Sequence, residues 1–353
     1  VKPASLDLFR YALPFSEPVA LKRSTLINRD GILVRLAAED GSVGWGETSP
    51  LPGFSPEPLE TVIGQLYDFA SWAPGGKLPG DWLDHANRAP SVRFGLETAT
   101  WNLSASLSGT DSPEPMKDPS REVVSVSGLI SGTSAELVEE ADRMRAEGYR
   151  AVKLKVGGRG VAGNVRMVLE VAEALGDGVS LRLDANRAWG FGEAVEFGLG
   201  VSGVRIEYVE EPLAEQGRLG ELAGIWGLPV ALDETLVGMG PEDLGDHGYA
   251  RAVVLKPMLL GGISRCLRFA EEAEALGMKA VVSSSYESGV GTGALVALAA
   301  AIGGEPVGLD TYRRLAEDVI VVPLDLPAPV VDVRRAVAAA RRVDLRKVVP
   351  VPG

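Results

Sequence analysis

From about residue 122 onward, short β-branched runs alternate with longer stretches of helical periodicity, a rhythm that leaves few folds open. The runs are EVVSVSGLI, AVKLKV, SLRLD, RIEYVE, PVALDE, AVVLK and AVVSSS, and segments such as SAELVEEADRMRAEG place apolar residues at helical spacing between them. They read as seven strands of a parallel sheet, with an eighth candidate at VGLD, residues 307–310. The pattern predicts an α/β chain built on a TIM-type (β/α) barrel. A length of 353 residues accommodates that barrel and a modest second domain. Before residue 122 the signals change: INRDGILVRLAAEDGSVGWGE and PLPGFSPEP combine alternating runs with turn residues suited to an antiparallel sheet. We therefore expect an α+β capping domain over residues 1–120, a catalytic barrel over 121–318 and a C-terminal segment, 319–353, that returns to the cap. DSPEPMKDPS, residues 111–120, is the expected linker.

Composition limits the chemistry. Hydrophobic residues at 46% and charged residues at 24% are ordinary for a globular chain. No apolar run reaches the roughly eighteen residues that span a bilayer, and the first residues lack a basic segment followed by an apolar one, so the expected location is cytoplasmic. The single Cys266 cannot form an internal disulfide, and His85 and His247 are too few for a histidine- or thiolate-rich zinc site. Any metal must therefore rely on oxygen ligands. Both histidines lie in polar surroundings and read as surface residues. A net charge of -13 disfavours nucleic acid and anionic membrane as partners and leaves a small molecule; nothing in the pattern specifies an oligomeric state.

Five consecutive predicted strands end in a charged residue: Lys155, Asp184, Glu210, Asp233 and Lys256, at steps of 29, 26, 23 and 23 residues, about one βα unit each. Residues at C-terminal strand ends of a barrel converge on one mouth. With EVVSVSGLI as the first strand, the lysines fall on strands two and six, across the barrel axis, and the acids occupy the arc between. Three neighbouring carboxylates repel one another unless a cation lies among them, and an all-oxygen trio suits Mg²⁺, with Mn²⁺ as a substitute. Such an ion would take up the negative charge that develops on a substrate carboxylate as the adjacent proton leaves, and a lysine on either side could remove that proton. Lys153 shares a strand face with Lys155 and points to the same site.

Each residue has a plainer reading. A lone strand-end lysine is usually a solvated flank, and only the joint pattern argues otherwise. In the doublets Glu210-Glu211 and Asp233-Glu234, one member is expected merely to start the next helix. Arg182 is either a structural partner of buried carboxylates, which we favour, or a residue that orders the substrate. Ser283, Ser284 and Ser285, before GVGTG, could receive an anion or simply cap a helix. Gly158, Gly160 and Gly163 form a GxGxxG match after a strand, but two inward lysines on that strand and the continuing charged strand ends do not suit a dinucleotide fold.

Together these residues resemble the enolase superfamily, within its muconate-lactonizing-enzyme-like subgroup, in which a lysine-x-lysine strand, three acidic metal ligands and a later lysine form the site. GWGETSPLPGFS, PSVRFGLETA, LRLDANRAW, VVLKP, SSSYES and GLDTY further resemble the o-succinylbenzoate synthases of that superfamily and span both cap and barrel. The resemblance implies a barrel of the modified enolase type, Asp184, Glu210 and Asp233 as Mg²⁺ ligands, and Lys155 as the base acting on a succinyl-hydroxy-cyclohexadiene carboxylate, a dicarboxylate. It makes Lys256 a cation facing the ring, with Lys153 supporting the developing charge. Gly53 and Phe54 would cover the substrate, Asn186 would contact it, and the serine run and Gly289 would lie near its succinyl tail. Racemisation of N-succinyl amino acids or epimerisation of dipeptides is the rival, since two opposed lysines can serve both faces of one carbon. A silent scaffold on the same fold is the third reading, against which the five retained charges argue.

Overall fold

The computed structural model describes residues 3–21, 25–70, 88–110, 121–132 and 134–352. The expected linker at 111–120 and His85 lie outside these residues.

In the N-terminal region, β1 (Ser5–Ala20), β2 (Thr25–Ala37) and β3 (Val43–Thr48) form an antiparallel meander joined at its outer edge by β13 (Val349–Pro350). Both faces of this sheet are covered. Ile32, Val34 and Leu36 alternate along β2 and pack with Val62, Leu66, Phe69, Val92, Leu96 and Leu103 of the helices Leu59–Ala70 and Pro90–Ser108. Leu33, on the opposite face of β2, joins Tyr11, Leu13 and Trp45 in the same apolar core as the barrel. The cap is therefore docked by core packing. In GWGET, Gly44 and Gly46 let helix Pro90–Ser108 lie directly on β3, because a Cβ at Gly46 would stand 1.9 Å from the Gly95 carbonyl oxygen.

The barrel is a seven-stranded parallel sheet in the order β11 to β5: β5 (Gly128–Ile130), β6 (Ala151–Lys155), β7 (Ser180–Asp184), β8 (Ile206–Glu210), β9 (Val230–Leu232), β10 (Ala250–Leu255) and β11 (Lys279–Val282). The VGLD segment takes the eighth place through single bridges, Val307 to Val126 and Gly308 to Ser283. Its backbone hydrogen bonds reach both neighbours, Ser127 N to Val307 O at 2.8 Å and Gly308 N to Val282 O at 2.8 Å. Two residues suffice because each flank is already an ordered strand end. Inside, Tyr208 packs with the smaller Ala231, Ala252 and Val281.

The run expected as one first strand is divided. β4 (Val123–Ser125) pairs antiparallel with β12 (Val330–Asp332), and only Gly128–Ile130 enters the barrel. The C-terminal segment is shared likewise. Helix Val333–Ala340, whose Asp332 cap accepts from Arg335 N at 2.8 Å, packs on helix Gly289–Ile302 of the barrel, while β13 lies on the cap.

Candidate active site

Lys155, Asp184 and Glu210 are register partners across β6, β7 and β8, and Glu210 pairs with Ala231 of β9, two residues before Asp233. Lys256 follows β10 directly. A cavity at this mouth is lined by Lys153, Lys155, Asp184, Glu210 and Lys256, with Ser283, Ser284 and Ser285 beside them and Leu21, Leu51 and Phe54 from the cap side. The five strand-end charges are thus brought together by register alone.

Their electrostatics are tightly linked. Lys153 Nζ lies 2.8 Å from Glu210 Oε2 and 3.2 Å from Asp184 Oδ2, and Lys256 Nζ bonds Asp233 Oδ2. Burial works against the Lys153 ammonium, yet the charges of Asp184, Glu210 and Asp233 carry its pKa well above the usual lysine value. Burial acts the opposite way on Asp184, where Lys153, Lys155 and Lys256 outweigh it and hold the acid below its ordinary value. Glu210 is pushed up to about 7 by burial, with Asp184 and Asp233 adding to the effect and Lys153 only partly offsetting it. Glu234, half-buried beside Asp233, is likewise raised to about 7, by desolvation first and the Asp233 charge second.

Among the described residues, no three acidic, histidine or cysteine side chains stand gathered as a ready-made metal cage. The lysine ammoniums occupy the positions between the acids instead. The donor set nevertheless fits a hard cation: three buried carboxylates on adjacent strand ends, all oxygen.

The remaining candidates divide. Phe54 lines the cavity, and Gly53, at φ +81°, lines an outer vestibule shared with Lys155 and Asn186. Asn186, at φ +43°, takes Asp184 Oδ1 on its backbone N–H at 3.1 Å and gives its side-chain amide to Glu234 Oε1 at 3.3 Å. Ser284 Oγ bonds Thr311 Oγ1, and Ser283 Oγ donates to Gly308 O at 3.4 Å. Gly289 is set back from the cavity: its N–H donates to the Asp318 carboxylate, and a Cβ there would meet Asp318 Oδ2 at 2.4 Å. Arg182 sits at the cavity floor with its guanidinium committed to Glu207, Glu305 and the Pro306 carbonyl, which favours the structural reading. His247 bonds Tyr249 Oη at 2.8 Å, away from the mouth.

Two groups escaped the sequence reading. Glu47 of GWGET is fully buried and accepts from Tyr11 Oη at 2.6 Å, Ser49 Oγ at 2.8 Å, Ser288 N at 3.0 Å and Gly291 N at 2.9 Å, at the start of helix Gly289–Ile302. Arg29 Nε donates to Tyr286 O at 3.1 Å, so the cap holds the serine-bearing loop at two points. The second is Glu211. Glu234 does begin a short helical turn, Glu234–Leu236, as expected of a doublet, but Glu211 begins none and turns into the protein at φ +41°.

Residues 136–337 match the family model described as enolase C-terminal domain-like, and residues 4–103 match the MenC N-terminal domain. Over 320 residues the chain is 34% identical to o-succinylbenzoate synthase of Pectobacterium atrosepticum, covering 89% of this chain and 92% of that one. The chain belongs to the o-succinylbenzoate synthase family of the enolase superfamily. The synthase of Proteus mirabilis is 33% identical over 329 residues, covering 92% of this chain and 95% of that protein. Protein PHYLLO of Arabidopsis thaliana is 35% identical over 85% of this chain, which spans only 20% of PHYLLO's length. Among solved structures, dipeptide epimerase from Enterococcus faecalis, complexed with Mg and the dipeptide L-Leu-L-Tyr, superposes with a TM-score of 0.84 at 20% identity, over 99% of this chain and all of that one (100%). Muconate lactonizing enzyme from Pseudomonas fluorescens superposes with a TM-score of 0.80 at 25% identity, over 92% of this chain and 91% of that one. This family member is an enzyme of the hydro-lyase kind that its synthase relatives represent. Among the described residues, no helix is long and apolar enough to cross a membrane.

Proposed function

We propose that this enzyme dehydrates 2-succinyl-6-hydroxy-2,4-cyclohexadiene-1-carboxylate to 2-succinylbenzoate, a step of menaquinone biosynthesis in the cytoplasm. One observation carries the assignment of roles. Of the three mouth lysines, Lys153 and Lys256 are tied to buried carboxylates, whereas Lys155 is exposed and forms no ion pair among the described residues. A base has to be free to reach the α-carbon, and a lysine held by carboxylates is not. Lys155 therefore takes the α-proton. Lys153 keeps positive charge beside the substrate carboxylate while negative charge grows there, and Lys256, fixed by Asp233, presents a cation to the ring from the opposite side. Departure of the ring hydroxide then aromatises the product. Asp184, Glu210 and Asp233 are the residues that would hold Mg²⁺, which when bound supplies a Lewis acid for the substrate carboxylate. Phe54 excludes water from the cap side, and the Ser283–Ser285 run faces the succinyl tail.

Purified protein with Mg²⁺ is expected to give the ultraviolet change of aromatisation, and a chelator to abolish it. Absence of turnover would falsify the assignment. Racemisation of N-succinyl amino acids or epimerisation of dipeptides is the second reading, favoured by Lys155 and Lys256 lining one cavity from opposed strands. Deuterium incorporation with loss of optical activity, faster than dehydration, would put it first.

A further inference from the structure

We infer that Glu211 is a positioning residue that aligns the three cation-holding strand ends through one buried carboxylate. The inference rests on the reading of Asp184, Glu210 and Asp233 as the Mg²⁺ ligands. Glu211 follows Glu210 directly, is fully buried, and its backbone at φ +41° turns the side chain away from the direction an extended strand would give it. Its Oε1 accepts from the backbone N–H of Asp233 at 2.9 Å and of Thr235 at 2.7 Å. Its Oε2 accepts from Thr235 Oγ1 at 3.0 Å and from Arg187 Nε at 2.9 Å. The backbone adds a further tie, with Arg187 N donating to Glu211 O at 2.7 Å, and Arg187 Nη2 closes the ring on Thr235 Oγ1 at 3.3 Å.

Three chain segments meet on this one group: the turn just past Asp184, the residue after Glu210, and the start of the turn that begins at Asp233. Arg187, like Asn186 and Glu211, sits at positive φ, a conformation that non-glycine residues adopt at a cost and keep only where surrounding bonds impose it. Glu211 supplies those bonds. Its oxygens accept from three N–H groups and one hydroxyl, so a carboxylate satisfies the site, whereas a glutamine amide would set its N–H₂ against at least one of those N–H donors. Because Asp233 is held by its backbone N–H, loosening that anchor moves a ligand without removing it. Partners of this kind typically alter metal affinity by about 10–100-fold.

The test is calorimetric titration of the metal-free full-length enzyme with MgCl₂ in the absence of substrate, on wild type and E211Q, with circular dichroism to confirm folding. We expect E211Q to weaken Mg²⁺ binding by about tenfold or more, and excess Mg²⁺ to restore part of the lost kcat. Thr235→Val, which removes one donor and keeps the side-chain shape, should shift Mg²⁺ affinity in the same direction by a smaller factor, and decides the matter should E211Q be recovered unfolded. A folded E211Q with a lowered unfolding midpoint but wild-type Mg²⁺ affinity, or an unmoved T235V where E211Q does not fold, overturns the inference and leaves the metal reading intact. Wild-type enzyme that takes up no Mg²⁺ overturns both.

Discussion

Each end of the barrel gathers a cluster of opposite charges, and the two clusters differ in how completely those charges are paired. At the floor, Arg182 and Lys279 meet Glu207 and Glu305, with Arg182 Nε 2.7 Å and Lys279 Nζ 2.6 Å from the Glu207 carboxylate. A register shift between β7 and β8, where Leu181 pairs with Ile206 but Arg182 with Tyr208, leaves Glu207 as the extra residue and turns it toward Arg182. Burial tends to raise Glu207, but the hydrogen bond and charge of Arg182, aided by Lys279, leave it below its usual value. At the mouth, the half-buried Lys153 and Lys256 pair with the buried Asp184, Glu210 and Asp233, and burial raises Glu210 to about 7. The floor pairs its charges among themselves, whereas at the mouth three acids face three lysines and Lys155 forms no ion pair among the described residues. Residues two apart on one strand, Arg182 and Asp184, belong to the two regimes. The difference is one of purpose: a fully paired network holds a fold, and one that leaves a charged group unpaired keeps that group available to a ligand.

Substitution at each end should separate the two roles. The largest expected effect is Lys155→Ala, which should lower turnover by at least about 10³-fold while Mg²⁺ binding and the unfolding midpoint stay at wild type; surviving activity would mean that another residue is the base, and a drop in stability would dissolve the contrast with the floor. Next, Arg182→Met should cost about 3 kcal/mol in urea unfolding, because it leaves the Glu207 and Glu305 charges without their main partner. Mg²⁺ affinity and KM should not move. If they did, the floor would have to be counted as part of the site.

The smallest expected effect is on pH dependence. Because the folded-state pKa of Glu207 is depressed, its contribution is fully present above the ordinary carboxylate range and is lost as pH falls through the depressed folded value. Without Arg182 only Lys279 opposes burial, so the folded-state value of Glu207 rises. The stability gap between wild type and Arg182→Met should therefore narrow between pH 7 and pH 4 in urea titrations, and a constant gap would show that Arg182 acts by packing on Tyr208, whose ring centre lies 5.2 Å from its guanidinium carbon.

Much of the site was legible because it is periodic. A strand-end charge recurring once per βα unit needs only local rules to predict that Lys155, Asp184, Glu210, Asp233 and Lys256 share one mouth. The eighth strand was legible only as a candidate, since two residues that bridge ordered neighbours carry no pattern of their own. The division of EVVSVSGLI was hidden for a related reason: Val123–Ser125 is drawn out of the barrel by Val330–Asp332, a partner some two hundred residues away along the chain. The role of Glu211 was not legible, because an acidic doublet looks the same whether one member starts a helix or folds back into the core.

What the amino-acid order determined by itself was the barrel rhythm, the acids-between-lysines sequence of the mouth and, through GWGETSPLPGFS and its companion segments, the family. What only the tertiary structure decided was which charges are spoken for. Lys155 stands clear while Lys153 and Lys256 are paired, Arg182 is committed to the floor, and Glu47 anchors a helix start 241 residues away at Ser288. The physical reason is that side-chain direction follows from local backbone geometry, whereas a buried charge is satisfied by whichever partner the folded chain brings within hydrogen-bonding distance.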